Sequence, residues 1–185
     1  MASQAQRNAR RRRRQRQRPS APVSINARPV ENGIRTVSLV EMHGPLSIAK
    51  GRQSIRVDFN SGTFSNNLPG YLSHAVHWRV RSMRVVFTST LDLQSQEMLA
   101  LYARPPATDF NPSSFFNALT RGGVAKLART SGWSSNVLGA QELWVSTGTS
   151  GTGASIEVWL TAPANEEIHL GFITVHATIQ TQGHK

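Results

Sequence analysis

His77–Thr90 reads HWRVRSMRVVFTST, and its hydrophobic phase decides the fold class. Trp78 and Val80 occupy even positions, whereas Met83, Val85 and Phe87 occupy odd ones. A period of two with one slip describes a long, half-buried β-strand with a bulge near Arg81–Ser82. The polar face of this strand carries Arg79 and Arg81, and Arg84 follows.

Outward from this segment the chain continues as strands. Thr36–His43 alternates at Val37 and Leu39, and Gly44–Pro45 is expected to stop it. In Gln53–Phe59, residues Ile55, Val57 and Phe59 point one way while Ser54, Arg56 and Asp58 point the other. Asn60–Gly62 is a turn signal, and Leu68–Ala75 suits a short helical turn. Glu97–Ala103 (EMLALYA) is apolar on both faces, as a covered central strand is. Asp109–Thr120 reads as helix, with Asn111 as cap, Pro112 in the first turn and Phe115, Phe116 and Leu119 on one face. Val124–Thr130, Gln141–Thr147, Ser155–Ala162 and Ile168–Gln180 complete the strands, the last changing phase near Gly171. Gly148–Gly153 is a flexible loop. Eight strands of unequal length, with unequal loops and no repeat, predict an all-β, eight-stranded jelly-roll sandwich with one short inserted helix.

The amino-terminal region is of another kind. Residues 1–18 contain eight arginines (Arg7, Arg10, Arg11, Arg12, Arg13, Arg14, Arg16 and Arg18) and no acidic residue. So polar and charged a stretch cannot bury enough surface to fold alone, and a disordered arm is expected. Residues 19–34 form a proline-containing linker, and residues 35–185 the compact domain. The net charge is +11, of which the arm carries +8; the rest of the chain holds 13 basic and 10 acidic residues. The basicity therefore belongs to the tail. Arginine pairs bidentately with phosphate and keeps its charge, so a polyphosphate is the expected partner. The arm contains no aromatic residue, which predicts backbone-directed, sequence-tolerant binding to single-stranded nucleic acid. The same residues can also serve as a nuclear-localisation signal, whereas a membrane-surface role lacks a hydrophobic anchor. Arg79 and Arg81, with Arg84, Arg52 and Arg56, are candidates to extend the basic surface or to be ordinary solvated side chains.

Signals for catalysis are weak. The chain has no cysteine, which removes disulfides and thiolate metal sites. It shows no G-x-S-x-G, P-loop, H-E-x-x-H or dinucleotide-binding fingerprint. His74 and His77 form H-x-x-H at a loop-to-strand boundary, where a metal role is the minor reading. Glu166–Glu167 reads as a solvated turn. Asp109 and Asn111 offer loop oxygens for a Ca²⁺ ion completed by a neighbouring subunit, against the simpler reading of a helix cap. No apolar run approaches a membrane span and no signal peptide is evident, so an intracellular, non-enzymatic protein is expected.

Thr36-Val-Ser-Leu-Val-Glu-Met-His-Gly-Pro45 resembles the opening strand of enamovirus-type coat proteins, in which a Met-His-Gly-Pro or Met-x-Gly-Pro turn recurs. The order of pieces is also similar to that of sobemovirus, polerovirus, enamovirus and barnavirus coat proteins. That order runs from an arginine-rich arm through a proline-containing linker to the Trp78–Thr90 strand, the apolar strand, the helix and a terminal His169–Gln180 strand. The resemblance spans most of residues 1–182. It implies a jelly-roll shell domain with strands B to I, and many copies assembling into an icosahedral or bacilliform shell around single-stranded RNA. It also implies an internal arm, and a location in the virion and the host cytoplasm. Sobemovirus coats carry an Asp-x-x-Asp calcium pair; only Asp109 and Asn111 are similar here, so intersubunit Ca²⁺ is the sole cofactor in view. Unlike tombusvirus coats, the chain shows no projecting domain after Gln182. Trp133, Trp144, Trp159 and Tyr71 are candidates for either subunit contacts or core. The competing reading is a non-viral RNA-binding or RNA-chaperone β-domain with a basic tail. A cupin-like enzyme lacks the clustered His and Glu ligands it needs.

Overall fold

The computed structural model describes residues 33–92, 95–106, 113–148 and 151–183. Within them the strands are β1 (Ile34–Ile48), β2 (Ser54–Phe59), β3 (His77–Ser89), β4 (Met98–Arg104), β5 (Val124–Leu127), β6 (Trp133–Ser134), β7 (Val145–Ser146), β8 (Ala154–Leu160) and β9 (Ile168–Gln182). Two short helices join them, α1 (Leu68–Leu72) and α2 (Phe115–Thr120). All pairings are antiparallel. One sheet runs β1-β9-β3-β6, with β7 also on β3, and the other runs β2-β8-β4-β5. With β6 and β7 taken as two pieces of one strand, lettering B to I gives B-I-D-G facing C-H-E-F. This is the jelly-roll order.

The phase slip in β3 is a bulge. Val80 opposes Ile179 and Ser82 opposes Thr178, leaving Arg81 as the extra residue. The slip returns Met83, Val85 and Phe87 to the core face already occupied by Trp78 and Val80. Trp78 is fully buried, its ring 5.8 Å from that of Phe59. A Cβ on Gly153 would lie 2.4 Å from this indole, so the residue just before β8 has no side chain.

Several local expectations change. Gly44–Pro45 does not end β1. Register shifts between His43, Leu46 and Ser47 absorb it, and Leu46 and Ile48 return to the core. The proline is tolerated because β1 is an edge strand, where a missing N–H need not break a ladder. Near Gly171 the phase does change: Leu170 is buried, Phe172 points out and Ile173 is again in the core. Gly171 sits at φ +135°, and a Cβ there would lie 2.1 Å from the Thr88 carbonyl oxygen. Helix α2 starts later than Asn111 and Pro112, which lie outside the described residues. Its cap is Ser114, whose Oγ accepts from the Asn117 N–H at 3.2 Å. Phe115 is then buried while Phe116 is 70% exposed, because adjacent helical residues diverge by about 100°. Val124–Thr130 shortens to β5, and Gln141–Thr147 to β7. Trp133–Ser134, not expected as strand, lies along Phe87 and Val86.

The main core lies between the two sheets. A second cluster (Ala100, Phe115, Ala118 and Trp159) sits on the outer face of the β2-β8-β4-β5 sheet, where α2 covers it. All seven residues of β8 are consequently buried. The pairing of Ile34 with Gln182 and of His77 with Gln182 places the start of β1, the end of β9 and the start of β3 at one end of the sandwich. Ile48 opposite Ile168 marks the other end.

Candidate nucleic-acid interface

Pleating places Arg79, Arg81 and Arg84 on the outer face of the first sheet, opposite the buried row of Trp78, Val80 and Met83. Their states differ. Arg79 is half-buried and held in place. Its guanidinium lies 4.4 Å above the Trp144 ring, its Nε donates to Gln180 Oε1 at 3.0 Å, and Nη1 donates to the Glu142 carbonyl at 3.4 Å. Gln180 in turn donates to Thr36 Oγ1 at 3.3 Å, tying β3 to β1 across β9. Arg81, the bulge residue, and Arg84 are exposed. Beside them a shallow groove of about 460 Å³ is lined by Ser38, Val40, Arg84, Val137, His176 and Thr178, among others.

Arg52 and Arg56 do not join this surface. Arg56 lies on the outer face of the second sheet, with Nε 2.7 Å from Asp58 Oδ1, and Ser155 Oγ donates to the same oxygen at 2.8 Å. Arg52 lies in the β1–β2 turn, at the end of the sandwich away from Ile34. The five arginines are thus divided among two sheet faces and a turn.

Sequence reading missed a buried pair on the outer face of the second sheet. Arg104 Nη2 and Nε approach Glu157 Oε1 at 2.8 and 3.0 Å, with side-chain exposures of 2% and 7%. Residues so far apart in sequence leave no local signal. Glu41 was missed as well. It is 1% exposed, and its Oε1 accepts from the N–H groups of Asn67 and Leu68 at the start of α1. Of the aromatic candidates, Trp133 and Trp159 belong to core clusters, while Trp144 and Tyr71 are half-buried. His74 and His77 are both exposed, and among the described residues no group of three or more His, Asp or Glu is placed to hold a metal. The arm residues Arg7, Arg10 to Arg14, Arg16 and Arg18 lie outside the described residues, as do Asp109 and Asn111.

No protein-family model matches the chain, and no curated protein matches its sequence. Solved structures do match. Cocksfoot mottle virus aligns with a TM-score of 0.65 over 80% of this chain and 94% of its own, at 11% identity. Mud crab tombus-like virus aligns at 0.66 over 88% and 95%, at 13% identity. The fold is the viral-capsid jelly roll. Tobacco necrosis virus shares it at a TM-score of 0.65 over 89% of each chain, at 12% identity. The jelly roll therefore recurs with sobemo-, tombus- and noda-like shells while sequence identity stays low.

Proposed function

We propose that this chain is the coat protein of a small positive-strand RNA virus. Many copies tile a closed shell, and their arms neutralise single-stranded RNA in the cavity. The observation that carries the reading is the match of the jelly roll to viral shells across most of both chains. The arm supports it independently. Eight arginines without an aromatic residue suit phosphate neutralisation without base reading. If each arginine engages a single-stranded phosphate, binding to RNA falls with salt with a log–log slope of about −5 to −6. Arg81 and Arg84 would add contacts from the sheet face, while Arg79 braces that face through Trp144.

The test is to express the full chain, image it by negative stain, and measure nucleic acid in purified particles by absorbance ratio. Uniform shells that contain RNA are expected. Deleting residues 1–18 should leave the β domain folded while RNA content falls or particle size changes. Unchanged RNA content in the deletion particles would sink the role given to the arm.

A further inference from the structure

We propose that the pocket at the root of the arm is a phosphate subsite for RNA; the identity of its ligand rests on the coat-protein reading above. The pocket measures about 220 Å³ and lies at the end of the sandwich where the chain enters at Gly33 and β9 ends. Arg35 and Thr181, paired across β1 and β9, form one wall. Tyr71 of α1 and His74 just beyond it form the other. Among the described residues the lining thus offers a guanidinium, an imidazole and two hydroxyls, and no carboxylate.

These four side chains have no hydrogen bond or ion pair among the described residues, although Thr181 is only 6% exposed. The contrast with Arg56, Arg79 and Arg104 is direct, since each of those spends its guanidinium on a protein acceptor. An unpaired guanidinium beside hydroxyl donors fits a phosphodiester, whose oxygens accept from Arg, Tyr and Thr alike. Position adds to the chemistry. Arg18 lies fifteen residues before Gly33, so the near end of the charged arm is tethered within about 50 Å of the pocket, and RNA held by the arm is concentrated there. No base-reading group is present, so the subsite takes any sequence.

Titration of the dissociated full chain with uridine 5′-monophosphate, followed by NMR, tests this. Saturable shifts are expected at the rings of Tyr71 and His74 and at the Gly183 amide. The double variant Arg35→Ala with His74→Ala should bind about tenfold or more weakly, as loss of charge-assisted hydrogen bonds predicts. The milder Tyr71→Phe should bind about threefold more weakly through loss of one neutral hydrogen bond. Arg84→Ala, on the sheet face, should leave the shifts unchanged. Wild-type protein whose arm signals move while Tyr71 and His74 stay silent overturns the subsite, even if shells form and contain RNA. Clear shifts in a protein that never forms shells uphold the subsite and overturn the coat-protein reading instead.

Discussion

The two sheets of the sandwich bury similar inner faces and differ in what they do with their outer ones. In the sheet of β1, β9 and β3, the outer face meets solvent. Val40, Met42, Arg81, Arg84 and His176 are exposed there, and Arg79 is braced on Trp144. In the sheet of β2, β8 and β4, helix α2 lies over Ala100 and Trp159 on the outer face, and Glu157 and Arg104 are buried on that same face. One face is open to solvent, and the other is covered where α2 packs over β4 and β8. Similar side chains should therefore carry different energetic weight on the two faces.

The sharpest way to break this contrast is at the cover. Phe115→Ala removes a side chain 2% exposed and should destabilise the dissociated subunit by about 3–5 kcal/mol in urea unfolding. A loss below about 1 kcal/mol would mean that α2 only rests on the sheet. Glu157→Ala comes next. It removes a buried carboxylate that accepts two bonds from Arg104 and should cost about 3 kcal/mol by the same measurement. Ser114→Ala removes the cap of α2 and should cost about 1 kcal/mol. The smallest effect belongs to the open face. Arg79→Ala should cost about 0.5–1 kcal/mol, with a change in Trp144 fluorescence reporting loss of the stacked guanidinium. If Arg79→Ala proved as damaging as Phe115→Ala, the distinction between an open and a sealed face would not hold.

The open sheet was also the legible one. Its strands alternate, so the in–out pattern of His77–Thr90 displayed both the strand and its bulge. The covered sheet was legible where continuous apolarity exposed a strand buried on both sides, as in β4. It was illegible at Arg104 and Glu157, which read as surface charges until pairing brings them together. Trp133–Ser134 escaped notice because two paired residues in a polar stretch show no period. The helix was found but its start was misplaced. Asn111–Pro112 has good capping chemistry, yet Ser114 holds the extended geometry a cap requires. Of the candidate interface, the charge of the arm was visible at once. The bracing of Arg79 by Trp144 and the pocket at Arg35 depend on residues brought together only by the strand order.

The pairing of Ile34 with Gln182 has a practical corollary for anyone building on this chain. Strand β1 begins where the last strand finishes, so a tag fused after β9 leaves the sandwich at the end where the chain enters it. A peptide grafted at Asn165–Glu167, an exposed stretch beside Ile168, would project from the opposite end.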